Sequence, residues 1–166
     1  MFRWDPQDGS LRKFAEGFRI PNYPQIDEER GFLYVSDSHH PDRPGPGIWR
    51  VLLGGAELWY DHPLRFANGM AFAKDRQGIY VAETFARRIS YIPILPDGRA
   101  GERATAVELP ALPDGLALSE RGTLFISCYE PSLVYRWSVA RGLELLYYDP
   151  TAHTLCHPTN CFLHGG

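Results

Sequence analysis

The sequence predicts an all-β fold, a stretch of β-propeller about three and a half four-stranded blades long, and three observations predict it. A short segment recurs four times with its central polar residue at Asn22, Asn68, Asp114 and Asn160, a constant step of 46 residues. Each period then repeats the same order of short apolar runs and turn residues. Glycine or proline interrupts every candidate helix before three turns are complete. A period of this length lies close to that of propeller blades. A β-sandwich of similar strands is the alternative, but its turns need no constant step.

The elements follow in order. Residues 2–17 read as the last two strands of an earlier blade, with Asp8-Gly9 as the hairpin turn. Complete blades are expected at about 20–60, 66–109 and 112–149, and residues 155–166 open another, all within a single partial domain, 1–166. After each recurring polar residue comes an apolar run and a charged turn: Glu28–Gly31, Lys74–Gln77 or Ser119–Gly122. A second strand rich in β-branched and aromatic residues follows: Phe32–Ser36, Ile79–Ala82 or Leu124–Ser127. Third strands fall at Ile48–Val51, Ile89–Ile92 and Val134–Trp137. Turns at Gly54-Gly55, Asp97-Gly98 and Arg141-Gly142 lead to fourth strands at Glu57–Tyr60, Thr105–Leu109 and Leu143–Tyr147. Four antiparallel strands per period describe a blade. The ring is not closed by these blades, so the chain reads as cut at both ends, and its open strand edges are expected to self-associate.

Composition narrows the functional classes. The 166 residues are 44% apolar and 13% aromatic, enough for a core. A formal net charge of -3 gives no reason to expect nucleic acid or an anionic membrane as partner. No apolar run is long enough for a membrane span, and Met1–Asp5 holds no signal core. Cys128, Cys156 and Cys161 form no even framework and read as reduced thiols, which places the protein in the cytoplasm. Cys156, His157 and Cys161 fit no standard zinc spacing.

The chemistry is expected at the axis. The innermost strand of each blade runs beside the central channel, so Asn22, Asn68, Asp114 and Asn160 recur at one height around it. Their amide and carboxylate oxygens suit a hard divalent ion. The competing reading is that Asn68-Gly69 and Asp114-Gly115, dipeptides common in turns, are simply strand entries whose side chains cap local backbone.

Phe66–Phe72 followed by Ile79–Thr84, together with Leu112–Leu118, resembles the gluconolactonase/regucalcin (senescence marker protein) family. Pro21-Asn22 with Leu33–Ser38, and Pro158–Asn160, are similar to the flanking blades of that family, in order and in register. The resemblance implies a six-bladed propeller with one axial divalent ion, Ca²⁺ first and Zn²⁺, Mn²⁺ or Mg²⁺ as alternatives. It implies Asn68 and Asp114 as metal ligands, Asp114 also as catalytic base, and Asn22 as a further ligand or substrate contact. Asn160 joins the set by register alone. The implied reaction is hydrolysis of a small-molecule lactone, with the metal as Lewis acid and no organic cofactor. Two departures stand out. The family's first-blade glutamate has no counterpart, since Glu16 sits in an outer strand, and Ile20 stands where some members carry a substrate-binding arginine, Arg19 falling on the other face. The isolated 166 residues are therefore expected to be inactive.

Other candidates read as structural. Asp37-Ser38 and Glu83-Thr84 end second strands and are expected to close hydrogen bonds between strands. His39-His40, beside Asp42 and Arg43, reads as a solvated loop, with a substrate gate as the alternative. Trp49, Trp59 and Trp137 read as packing between blades. No serine or histidine stands in triad spacing. The competing functions are a non-enzymatic calcium- or ligand-binding scaffold and a strictosidine-synthase-like propeller, which needs no axial oxygen set.

Overall fold

The computed structural model describes residues 1–52 and 55–164. Strands β1 (Phe2–Trp4) and β2 (Leu11–Lys13) form a two-stranded hairpin. Three four-stranded antiparallel sheets follow, each a meander with strands in chain order. The first holds β3 (Pro21–Asp27), β4 (Phe32–Asp37), β5 (Gly45–Leu52) and β6 (Gly55–Leu64). The second holds β7 (Ala67–Phe72), β8 (Gly78–Glu83), β9 (Arg88–Pro93) and β10 (Ala104–Glu108). The third holds β11 (Leu112–Leu118), β12 (Leu124–Glu130), β13 (Leu133–Ser138) and β14 (Gly142–Tyr148). The chain is thus a stretch of β-propeller: three full blades and a hairpin. Among the described residues no helix is long and apolar enough to cross a membrane.

The strands form where β-branched and aromatic residues can pack on two faces. Alternate residues of β8 show this. Ile79 and Val81 join Tyr34, Ile48, Trp59, Met70, Phe72 and Ile92 in the core between the first two blades. Tyr80 and Ala82 face the opposite way, into the core with Leu116, Leu124, Ile126 and Tyr135 of the third blade. A blade buried on both faces is how radial packing differs from a sheet with one wet side. The hairpin segment covers the outer face of the first blade through Phe14, Ala15 and Phe18 against Val35 and Val51. Three of the four tryptophans sit at these seams: Trp59 packs edge-on against Tyr34, Trp137 against Tyr80 and Trp49 against Phe18, while Trp4 is exposed.

Two local expectations change. The first blade is longer than the run ending at Tyr60, because β5 begins at Gly45 and pairs with Pro63 and Leu64 at the end of β6. Residues 155–164 form no strand; no ladder partner lies beside them, and a strand needs one. The turns at Gly98 and Gly142 take left-handed backbone, at φ 79° and 71°. Gly54 and the terminal Gly165-Gly166 lie outside the described residues.

Candidate metal and substrate site at the propeller axis

The inner strands β3, β7 and β11 lie side by side, with β7 in the middle. Each breaks its ladder at the recurring polar residue. The register of β3 against β4 shifts between Pro21 and Pro24, that of β7 against β8 between Ala67 and Met70, and that of β11 against β12 between Pro113 and Leu116. A bulge releases residues from the ladder and re-aims their side chains. Here it frees Asn22, Asn68 and Asp114, one per blade, at the 46-residue step. The dipeptides Asn68-Gly69 and Asp114-Gly115 therefore sit on bulges near the starts of β7 and β11, and the Asn68 amide bonds to the Thr84 side chain rather than to local backbone.

Glycine after the axial residue has a steric cause. A Cβ on Gly69 would lie 2.3 Å from the Asp114 carbonyl oxygen, and one on Gly115 would lie 2.4 Å from the Asn160 Cα. At both positions the backbone one repeat further along the chain lies too close for any side chain. This close approach draws the axial residues together. Asn22, Asn68, Asp114 and Asn160 line one cavity of about 400 Å³, with Tyr23, Pro24 and Thr159.

The four side chains differ in how they are held. Asn68 is buried, and its Nδ2 donates to Thr84 Oγ1 at 3.3 Å. The Asn22 Nδ2 donates to Ser38 Oγ at 3.1 Å. Asn160 spends its Oδ1 locally, accepting from the Cys161 N–H at 2.8 Å. Asp114 has no cation or hydrogen-bond donor on its carboxylate among the described residues, and burial pushes it up to about 6. An amide-rich wall with one uncompensated carboxylate fits a hard divalent cation: the charge is there to be neutralised and the oxygens are there to ligate. No three His, Cys, Asp or Glu side chains converge among the described residues. Any ion here would therefore depend on amide oxygens as well as Asp114.

The neighbouring acids are saturated instead. Asp37 accepts from the N–H groups of Arg19, Ile20 and His39 and from Trp49 Nε1. Glu83 accepts from Arg88, Arg103, Ser90 and the Arg65 N–H. Burial raises Glu83, but Arg88, Ser90 and the Arg65 N–H outweigh it and hold the carboxyl below its ordinary value. Both close hydrogen bonds within a blade, as their strand-end positions suggested. Their partners Ser38 and Thr84 do something further: Ser38 Oγ donates to the Ala67 carbonyl and Thr84 Oγ1 to that of Pro113, each on the next blade. The sequence carried a signal for this pair, since the two hydroxyls stand 46 residues apart. His39 and His40 do not line the axial cavity. The His40 Nδ1 accepts from the Asp42 N–H.

The family described as the SMP-30/gluconolactonase/LRE-like region matches residues 41–166. The chain belongs to this family. Pentonolactonase XacC of Haloferax volcanii is 30% identical over 112 residues, covering 65% of this chain and 38% of its own. Strictosidine synthase-like protein 10 of Arabidopsis thaliana is 29% identical over 130 residues, covering 69% of this chain and 34% of its own. Among solved structures, the gluconolactonase XC5397 of Xanthomonas campestris matches with a TM-score of 0.69 at 22% identity, covering 90% of this chain and 55% of its own. The calcium-binding protein regucalcin of Agrobacterium tumefaciens matches at 0.68 and 18%, covering 83% and 50%. Both structural matches speak to the fold alone. The chain spans just over a third of the length of these curated relatives.

Proposed function

We propose that the full-length protein hydrolyses a lactone, a sugar lactone or related cyclic ester, at the axial cavity with the help of a divalent metal ion. The observation that carries the reading is the convergence of Asn22, Asn68 and Asp114 on one cavity, in a family whose named members include lactonases. Asn68 and Asp114 would hold the ion, with Ca²⁺ the first expectation. Bound there, it would supply Lewis-acid polarisation of an ester carbonyl.

The remaining steps belong to the chain's own residues. Asp114 takes the proton of the attacking water, and coordination to the ion would keep its carboxylate ionised for that task. Asn22 and Asn160 sit on the same wall and contact the substrate ring or complete the ligand set. The lining adds the Tyr23 and Thr159 side chains and no cationic group. We place the enzyme in the cytoplasm, where its three free cysteines stay reduced.

The test is hydrolysis of a panel of sugar-acid lactones by the full-length protein, before and after chelation. Hydrolysis that stops on chelation and returns with Ca²⁺ supports the reading. Hydrolysis indifferent to chelator removes the metal from it. A calcium- or ligand-binding scaffold is the second reading, favoured by the same oxygen-rich wall; it predicts tight binding and no turnover of any lactone.

A further inference from the structure

We propose that Ser38 and Thr84 are positioning residues that decide which end of an axial asparagine faces the cavity. The proposal rests on the lactonase reading, in which those asparagines present oxygen to a cation.

The argument runs from proton counting. A hydroxyl has one proton to give. Thr84 Oγ1 lies 2.8 Å from the Pro113 carbonyl oxygen, which can only accept, so the proton goes there. The hydroxyl oxygen can then only accept from Asn68, so the amide must turn its NH₂ toward Thr84 and leave Oδ1 free. Ser38 repeats the logic. It donates to the Ala67 carbonyl at 2.8 Å and accepts from the Asn22 Nδ2 at 3.1 Å. Asparagine O and N are nearly the same shape, so packing alone does not choose between them, whereas this polarity does. The choice matters, because an NH₂ turned to the cavity would repel the cation that an oxygen holds.

Both hydroxyls are buried, at 1% and 5% exposure, so water does not compete for these bonds. The relay also crosses each blade seam. Ala67 immediately precedes Asn68, and Pro113 immediately precedes Asp114. Asn22, Ser38 and Ala67 thus lead to Asn68, Thr84 and Pro113, and on to Asp114. Orientation of each amide depends on the registry of the next blade.

The third blade is the internal control. One repeat beyond Thr84 stands Glu130, which pairs with His157 at 3.1 Å and cannot relay a proton as a carboxylate. Among the described residues nothing orients Asp114, and nothing needs to, since the two oxygens of a carboxylate are equivalent. Among the three complete blades, the relay occurs in the two that present an amide and is missing where the axial residue is an acid. A general latch between blades would have no reason to follow that distinction.

The experiment uses ¹⁵N-labelled full-length protein and reads two quantities: the side-chain amide resonances of Asn22 and Asn68, and the Ca²⁺ dissociation constant by calorimetry. Thr84→Val is expected to move the Asn68 amide pair toward free-amide positions, leave Asn22 in place and weaken Ca²⁺ binding 10- to 100-fold, the range for partners that orient a ligand (~10–100-fold). Thr84→Ser is expected to restore both. Ser38→Ala is expected to do the reciprocal at Asn22, and it carries the test alone if Thr84→Val fails to fold. An unmoved Asn68 pair in Thr84→Val overturns the relay. A moved pair with unchanged Ca²⁺ affinity overturns its positioning role. If the wild type binds no Ca²⁺ while the amide pair still moves, the relay stands and the Ca²⁺ assignment of the proposed function fails instead.

Discussion

Asn68 and Asp114 occupy the same place one blade apart, on equivalent bulges of equivalent strands, yet their surroundings are opposite. Asn68 is buried and tied through Thr84 to the next blade. Asp114 faces the same cavity with no partner among the described residues, and burial raises it to about 6. Glu83, at the end of β8, shows a third condition: fully buried, but met by two arginines, a serine and a backbone N–H. A carboxylate that is structural is surrounded by donors. One that is left bare beside amide oxygens costs stability unless something arrives to neutralise it.

The sharpest way to break this comparison is to exchange the charges. Asp114→Asn should reduce kcat for lactone hydrolysis by about 10²- to 10⁴-fold, the range for loss of a general base. It should leave the unfolding midpoint unchanged or higher, because an uncompensated charge is removed. Glu83→Gln should act the other way. It leaves Arg88 and Arg103 unpaired around a buried site and should cost about 3–5 kcal/mol in urea unfolding. If Asp114→Asn destabilised as much as Glu83→Gln, Asp114 would be a structural acid.

Backbone proximity comes next in size. Gly115→Ala places a methyl against the Asn160 backbone and Gly69→Ala places one against the Asp114 carbonyl. Each should destabilise by about 1–3 kcal/mol through overpacking, measured by thermal unfolding, and should widen the axial site. The corresponding position in the first blade is Tyr23, so the restriction is specific to the second and third blades.

The pH dependence separates the acids by sign. Asp114 is raised in the folded state, so its contribution to stability is present below its ordinary value of 3.8 and lost as pH rises through about 6. Ca²⁺ should reverse this, binding well above pH 6 and progressively less below it as the proton competes. Glu83 and Asp27 are depressed. Burial raises Asp27, but Arg76 and Arg30 outweigh it. Their contribution is present above the ordinary values of 4.5 and 3.8 and lost as pH falls through their folded values. Unfolding curves with and without Ca²⁺ from pH 3 to 8 should therefore diverge above about 6 and converge below it.

Much of this was legible before any coordinates. The 46-residue step located Asn22, Asn68, Asp114 and Asn160, and strand composition located Leu33–Val35, Ile79–Val81 and Leu124–Ile126, because both follow from local pattern. What stayed hidden depends on a neighbouring blade. The bulges that release the axial residues show only in the ladder register, and the need for glycine at 69 and 115 arises from backbone one repeat further on, at Asp114 and Asn160. The hydroxyls of Ser38 and Thr84 were readable as strand closures, but their acceptors lie 29 residues on, across a seam. The strand expected over 155–166 does not form over its described part because ladder formation is a property of pairs. Local apolar pattern in Cys161–Leu163 is not enough.

The most direct test of the central claim is calorimetric titration of Ca²⁺ into the full-length protein and its Asp114→Ala variant, with lactone hydrolysis followed in the same samples. Loss of both binding and hydrolysis in the variant, with the fold intact, is the predicted result. Unchanged Ca²⁺ affinity or unchanged hydrolysis without Asp114 would contradict the account and make the axial residues part of a scaffold.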